Sequence, residues 1–116
     1  MTEILSQLAE ISRFFGRDPE CVVAGGGNTS CKTEDTLWVK ASGFPLATIT
    51  EEGFAVLERT ELAKIAKKSY SDDPVERESQ IKDDLFRSSL YPEKGLRPSV
   101  ETSLHDAIDY TFVVHT

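Results

Sequence analysis

The chain has 116 residues, of which 39% are hydrophobic, and its formal net charge is -7. This length suits one globular domain, residues 1–116. The acidic balance disfavours a nucleic-acid partner, because nucleic-acid binding depends on clustered Lys and Arg. No apolar run approaches the roughly 20 residues of a membrane span, and the N-terminus has no signal-peptide pattern. We therefore expect a cytoplasmic protein that binds no membrane.

The first half of the chain predicts a helix followed by a β-hairpin. Apolar residues recur at spacings of four, three and four over residues 2–15 and share one helical face: Ile4, Leu8, Ile11 and Phe15. Gly16 is placed to end this helix. The alternating residues 36–41 predict a strand, which pairs with residues 30–33 across a polar turn.

Three consecutive glycines, Gly25–Gly27, precede Asn28 at the start of this hairpin. Without Cβ atoms, the backbone amides there can approach an anion closely, and the Asn28 side chain adds further donors. The stretch is not a Walker loop, since no Gly-Lys-Ser/Thr closes it. By itself, the run predicts either a phosphate-binding loop or a simple turn.

The next elements predicted are a strand and two helices. Residues 54–57 form the expected strand, and Thr60 is the expected cap of the helix that follows. Asp73 is a good N-cap and Pro74 a good first helical residue, so a second, charged helix is predicted from there to about Leu90.

The segment after Pro98 brings a carboxylate and a histidine into two short elements. Glu101 lies in the first turn of a predicted helix, and residues 111–116 predict a strand with His115 near its end. A carboxylate at a helix start and a histidine after two valines are both common in purely structural roles. The pattern alone leaves the structural and the functional interpretation open.

Four motifs follow one another in an order known from one enzyme family. They are a G-N-x-S loop at 27–30, an S-G turn at 42–43, a P-S-x-E-x-x-x-H segment at 98–105 and a V-V-H strand at 113–115. In this respect the chain resembles the class II aldolase/adducin family, zinc enzymes that cleave or rearrange sugar phosphates. The segment Arg-Pro-Ser-Val-Glu-Thr at 97–102 is most similar to that of the rhamnulose-1-phosphate aldolase-like members.

The resemblance implies an α/β fold, the N-terminal part of a three-layer α/β/α sandwich with a mixed or antiparallel central sheet. It implies zinc-dependent aldol cleavage of a ketose 1-phosphate, of the rhamnulose or fuculose type, to dihydroxyacetone phosphate and an aldehyde. It also implies a homo-oligomer whose ligand is a small sugar phosphate. Two alternatives stay open: a pentulose-phosphate epimerase or dehydratase on the same scaffold, and an adducin-like binding module without catalysis.

The resemblance also implies roles for individual residues. Glu101 is the expected general acid/base, His115 the first of three zinc ligands, and His105 a structural residue. The expected substrate-phosphate site consists of neutral donors: Gly27, Asn28, Ser42, Gly43 and Ser99.

The sequence departs from the family pattern at its C-terminal side. The second zinc histidine of the pattern would follow Thr116 directly, and the third lies further on. Glu101 and His115 offer two ligands at most, whereas a catalytic zinc site has three protein ligands and an open position. We therefore expect a domain truncated at its C-terminal side that binds zinc weakly or not at all and does not turn over. The strand of His115 is expected to have an exposed edge beside it, which either favours association with another copy or leaves the C-terminus frayed.

Overall fold

A computed structural model describes residues 2–21, 27–99 and 101–115 of the chain. The strands in this part are β1 (Asn28–Lys32), β2 (Thr36–Lys40), β3 (Phe54–Glu58) and β4 (Phe112–His115). The helices are α1 (Thr2–Gly16), α2 (Arg59–Lys67), α3 (Pro74–Arg87) and α4 (Thr102–Ala107), with short 3-10 helices at Leu46–Thr48, Glu51–Gly53 and Pro92–Lys94.

The four strands form one antiparallel sheet in the order β3-β2-β1-β4. Ser30 of β1 pairs with Val39 on one side and with Val113 on the other, which fixes the register of the three strands. Strand β4 lies at the edge of the sheet in the described part of the chain. The antiparallel arrangement that the sequence predicted as one of two options is confirmed.

Helices cover both faces of this sheet, because successive side chains of a strand point to opposite faces. One face packs against α1 through a buried cluster of Leu8, Ala9, Cys31, Trp38, Ile49 and Phe54. The other face packs against α2 and α3 through Leu37, Val39, Ala55, Leu57, Leu62 and Leu85. The predicted α/β fold with helices on both sides of the sheet is confirmed.

The boundaries of two helices differ from the sequence prediction. Helix α2 begins at Arg59, so Thr60 lies inside its first turn and is not the cap. The backbone N–H of Arg59 donates to the Asp35 carbonyl at 2.9 Å, and the helix begins two residues earlier than a Thr60 cap would place it.

Helix α3 starts where the sequence predicted, since the Asp73 side chain accepts a hydrogen bond from the Glu76 N–H at 3.1 Å. It ends at Arg87, three residues before the predicted end. The next residues join the sheet instead: Ser89 bridges Leu57, and the Leu90 N–H donates to Val56. Among the helices described, none combines the length and the apolar character needed to cross a bilayer.

Candidate active site

The predicted functional residues converge where β1, β4 and the start of α4 meet. Asn28 at the first position of β1 pairs with His115 at the last position of β4. Since residues two apart on a strand share a face, Asn28 and Ser30 lie on the same side of the sheet as His115 and Val113.

The two glycine-containing motifs, at 27–30 and 42–43, lie at this end of the sheet. Gly27 has a φ of +85° and Gly43 a φ of +93°, a backbone conformation that favours glycine. The Ser42 N–H donates to the Arg97 carbonyl at 2.8 Å, which places the Ser42–Gly43 turn beside the segment that leads to Ser99. Gly25 and Gly26, which belong to the predicted anion-binding loop, lie outside the described residues.

Asn28, Ser99, Glu101 and His115 form one chain of contacts. The Asn28 Nδ2 donates to the Ser99 Oγ at 2.7 Å and to the Glu101 Oε2 at 3.3 Å. The same Oε2 lies 3.4 Å from the His115 Nδ1. The structure thus brings four of the seven predicted site residues into direct contact. Within the described ranges, no hydrogen bond joins Ser42 or Gly43 to this group.

Helix α4 sets the position of Glu101. The Ser99 carbonyl accepts from the Thr102 N–H at 3.1 Å and from the Thr102 Oγ1 at 2.6 Å, which starts the helix. Glu101 is its N-cap residue, and its side chain makes no capping hydrogen bond. The carboxylate is therefore directed to Asn28 and His115 instead of the helix backbone. The side chains of Glu101 and His115 are each 45% exposed, so a ligand can reach both.

His105 follows Glu101 by four residues, a spacing that places both on one helix face. It is completely buried, and its Nδ1 lies 2.6 Å from the Ser30 Oγ. Its Nε2 is buried without a hydrogen-bond partner in the described part of the structure. Burial, together with the nearby His115, lowers the pKa of His105 to about 4, so the imidazole is neutral at physiological pH.

Glu101, His105 and His115 form a cluster that could hold a metal ion. One potential ligand atom from each residue lies within 4.8 Å of those of the other two. A carboxylate with two imidazoles is a donor set that suits zinc. The sequence interpretation counted two ligands at most and treated His105 as structural, and the structure adds a third candidate. The signal was the E-x-x-x-H spacing, which places the two side chains one turn apart.

Two cations that the sequence interpretation did not single out hold α4 in place. The Lys32 Nζ donates to the His105 carbonyl at 2.9 Å. The Arg59 Nε binds the Asp106 carboxylate at 2.6 Å, and its other nitrogens donate to the carbonyls of Thr33 and Asp106. Burial lowers the pKa of Lys32, and the Arg59 charge adds to this effect. These contacts anchor the C-terminal half of the helix that carries Glu101 and His105.

Comparison with known proteins agrees with this architecture. The model of the class II aldolase and adducin N-terminal domain family matches residues 6–116. The N-terminal class II aldolase domain of a conserved protein from Thermoplasma acidophilum is 35% identical and superimposes with a TM-score of 0.82, covering 96% of this chain and 53% of that one. A Bacillus subtilis protein named uncharacterized oxidoreductase YuxG is 31% identical over 121 aligned positions, which are 97% of this chain and 17% of that protein. The chain thus spans about half of the solved relative and less than a fifth of the Bacillus protein. On the strength of the family match over nearly its whole length, this chain belongs to the class II aldolase and adducin N-terminal domain family.

Proposed function

We propose that this chain provides the phosphate-binding and proton-transfer parts of a zinc-dependent lyase. Its substrate is a ketose 1-phosphate of the rhamnulose or fuculose type, cleaved reversibly to dihydroxyacetone phosphate and an aldehyde. One observation carries the proposal: the Glu101 carboxylate contacts both the Asn28 amide and the His115 imidazole while remaining open to solvent.

The substrate phosphate is assigned to the neutral donors around Asn28. Gly27 and Gly43 have positive φ and no Cβ, and apart from Gly43 and its two chain neighbours no heavy atom lies within 4 Å of where a Gly43 Cβ would be. Neutral N–H and O–H donors bind a phosphate dianion well because each hydrogen bond is charge-assisted. Ser42 and Ser99 add hydroxyl donors at the same end of the sheet, which supports a phosphate pocket in an otherwise acidic protein.

Glu101 is assigned as the general acid/base that moves the proton at the carbon next to the substrate carbonyl. A group with this role must be reachable by the substrate and held in one orientation. The Glu101 side chain is 45% exposed, and the Asn28 Nδ2 holds its Oε2 at 3.3 Å. Both conditions are therefore met.

The metal site fits the family's use of zinc. His115 is assigned as a zinc ligand, and the Glu101 carboxylate lies 3.4 Å from its Nδ1. When bound, zinc supplies Lewis-acid polarisation of the hydroxy-ketone oxygens of the substrate.

The test is aldol cleavage by a form of the protein extended to the length of the solved relative, with Glu101→Gln as the variant. Loss of a general acid/base lowers the rate by about 100- to 10,000-fold. Rhamnulose 1-phosphate and fuculose 1-phosphate serve as substrates, and release of dihydroxyacetone phosphate is measured. Glu93→Gln, which changes an exposed carboxylate in the 3-10 helix Pro92–Lys94, is the matched control. Unchanged cleavage by a zinc-loaded Glu101→Gln protein would rule out the proposed mechanism.

Two other functions are possible on this scaffold. Epimerisation or dehydration of a pentulose phosphate would use the same Asn28, Glu101 and His115, and product analysis in the same assay separates these reactions from cleavage. An adducin-like binding module would have no use for an aligned carboxylate and imidazole, so the contact between Glu101 and His115 favours an enzyme. Assembly into a homo-oligomer and a cytoplasmic location stay predictions.

A further inference from the structure

We propose that Lys40 is a further substrate-binding residue, whose ammonium group supplies the positive charge of the phosphate site at the end of the sheet. This inference rests on the function proposed above, which assigns the substrate phosphate to neutral donors around Asn28. It adds a cation that neither the sequence motifs nor that assignment includes.

Lys40 is a buried charge without a partner in the described part of the chain. It occupies the last position of β2 and is only 7% exposed. Lysines are rarely buried to this extent unless they are paired, because an unpaired charge is costly away from water. No hydrogen bond or ion pair of its ammonium group is found among residues 2–21, 27–99 and 101–115.

Lys32 provides the comparison within the same sheet. It is equally buried, and its Nζ donates to the His105 carbonyl at 2.9 Å. The Lys32 charge is thus used inside the fold, where it holds α4. Of the two buried lysines, Lys40 is the one whose charge a ligand can compensate.

Lys40 lies between the two glycine-containing motifs of the site, those at 27–30 and 42–43. The pairing of Ser30 with Val39 places the end of β2 beside the start of β1, which carries the first motif. The second motif begins two residues after Lys40. A side chain at the end of β2 is therefore adjacent to both parts of the proposed phosphate site.

The Lys40 charge acts at the end of the sheet that holds Glu101. Lys40 shares the α1 face with Trp38, since residues two apart on a strand share a face, whereas Glu101 lies on the α4 side. Burial lowers the pKa of Lys40, and the Glu101 charge raises it, so the two charges are near enough to interact. Glu101 in turn contacts Asn28, the centre of the phosphate site.

A positive charge at this position offsets a repulsion that neutral donors leave in place. The chain carries a net charge of -7, and the Glu101 carboxylate repels a phosphate bound next to it. An ammonium group binds phosphate as a point charge and does not need a forked geometry. Lys40 therefore favours a phosphorylated ligand over the corresponding neutral sugar.

The experiment measures the affinity of the chain for inorganic phosphate at neutral pH by isothermal titration calorimetry. We expect Lys40→Met to lower the affinity by about 10- to 100-fold, the effect of losing one hydrogen bond between charged groups. Lys40→Arg keeps the charge and should bind phosphate more tightly than Lys40→Met. Lys64→Met is the matched control for net charge: it removes an exposed ammonium group on α2 and should leave the affinity unchanged.

Urea unfolding of the ligand-free proteins separates a binding role of Lys40 from a structural one. An unpaired buried charge costs free energy, so Lys40→Met should raise the urea concentration at the midpoint of unfolding. Lys32→Met should lower it, because the His105 carbonyl loses its donor. A lower midpoint for Lys40→Met together with unchanged phosphate affinity would assign Lys40 to the fold and overturn the proposal.

A further measurement avoids substitutions. In the ¹³C-lysine-labelled chain, saturating phosphate should raise the pKa of Lys40, because a bound anion favours the charged form. Lys32, whose pKa is also lowered by burial, is the internal control and should titrate unchanged. An unchanged pKa of Lys40 in the phosphate-saturated chain would contradict the proposal, whether or not the Lys40→Met protein folds.

The outcomes separate this inference from the function on which it rests. If the parent chain binds phosphate and folded Lys40→Met binds it equally well, Lys40 is not a phosphate ligand, and the assignment to neutral donors remains. If the parent chain binds no phosphate, the role of Lys40 and the phosphate site are both overturned, and cleavage by the extended protein still tests the role of Glu101 separately.

Discussion

The two helices that flank β1 are attached to it in different ways. Helix α1, with 15 residues, packs through a cluster of buried apolar side chains. The buried Ser12 hydroxyl of this helix has its partners: its Oγ donates to the Leu8 carbonyl and lies 2.7 Å from the Thr29 Oγ1. Helix α4, with six residues, is held by polar contacts from Ser30, Lys32 and Arg59.

The difference shows which side of β1 carries stability and which carries the site. In the described structure, two buried polar atoms without partners, the Asn28 Oδ1 and the His105 Nε2, lie on the α4 side. Folding favours buried polar atoms that have hydrogen-bond partners, as Ser12 and Thr29 do, because a buried polar atom without a partner costs free energy. Both atoms lie beside the candidate site, so a ligand bound there could supply their missing partners, whereas the third such atom, the Ser89 Oγ, lies in the segment that bridges β3. We expect changes near α1 to affect stability alone, and changes near α4 to affect metal binding as well.

Leu8→Ala should produce the largest loss of stability and leave the site intact. Leu8 is completely buried in the cluster beneath α1. Removing a buried leucine side chain costs about 2 to 5 kcal/mol, because it loses contacts and leaves a cavity. The free energy of unfolding is measured in urea, and zinc affinity is measured in the same protein below the transition.

The control for Leu8→Ala is Phe14→Ala on the same helix. Phe14 is 67% exposed, so its loss should change the free energy of unfolding by less than about 0.5 kcal/mol. A zinc affinity lowered by Leu8→Ala in the folded state would contradict the separation of the two sides of β1.

Lowering the pH should weaken the α4 side in the metal-free chain. The pKa of His105 is lowered from 6.5 to about 4, mainly by burial and also by the nearby His115 and Lys32. The Glu101 carboxylate opposes this shift. The unfolded chain takes up this proton near pH 6.5 and the folded chain only near pH 4. Unfolding is therefore favoured as the pH falls through this window. Below pH 4, the free energy of unfolding should be lower by on the order of 3 kcal/mol because of His105.

Urea unfolding at a series of pH values with a chelator present checks this prediction. Between pH 6.5 and 5 the carboxylates stay mostly ionised, so the fall in stability there should come from His105. His105→Gln should remove that part of the pH dependence. A His105 ring-proton titration with a midpoint near 6.5 would contradict it.

Most of the fold followed from the sequence because its signals are local. The spacing of Leu8 within α1, the alternation in β2 and the Asp73–Pro74 start of α3 each specify one element without reference to the rest of the chain. The end of α3 did not follow, because Ser89 and Leu90 are drawn to β3, which is distant in sequence. Propensity indicates where a helix can continue, whereas tertiary pairing decides where it stops.

Only the site residues that belong to the recognised motifs could be predicted from the sequence. The sequence pointed to Asn28, Ser99, Glu101 and His115, which meet in space. It gave no indication that Ser30 would bind His105, since that contact joins residues 75 positions apart. For the same reason the anchoring of α4 by Arg59 became visible only once α2 and α4 were placed side by side.

Arg59→Met tests the anchoring of α4 and should have the smallest of the three effects on stability. The change removes the ion pair with Asp106 and the hydrogen bonds to the Thr33 and Asp106 carbonyls. The side chains of Arg59 and Asp106 are 28% and 18% exposed, so water can partly replace the lost donors. We expect a loss of about 2 kcal/mol, below the range for a fully buried pair.

The matched control is Arg13→Met, which removes one hydrogen bond from α1 to the Ile49 carbonyl and should cost about 1 kcal/mol. Only Arg59→Met should speed amide exchange in α4 and weaken zinc binding, because only that arginine holds the helix of Glu101 and His105. Arg59→Lys should restore little, since an ammonium cannot reproduce the forked contacts of a guanidinium. Equal exchange rates in α4 for the two methionine variants would mean that Lys32 and Ser30 are sufficient to hold the helix. The Arg59 contacts would then not be needed to hold α4, and the helix would be equally stable against local opening without them.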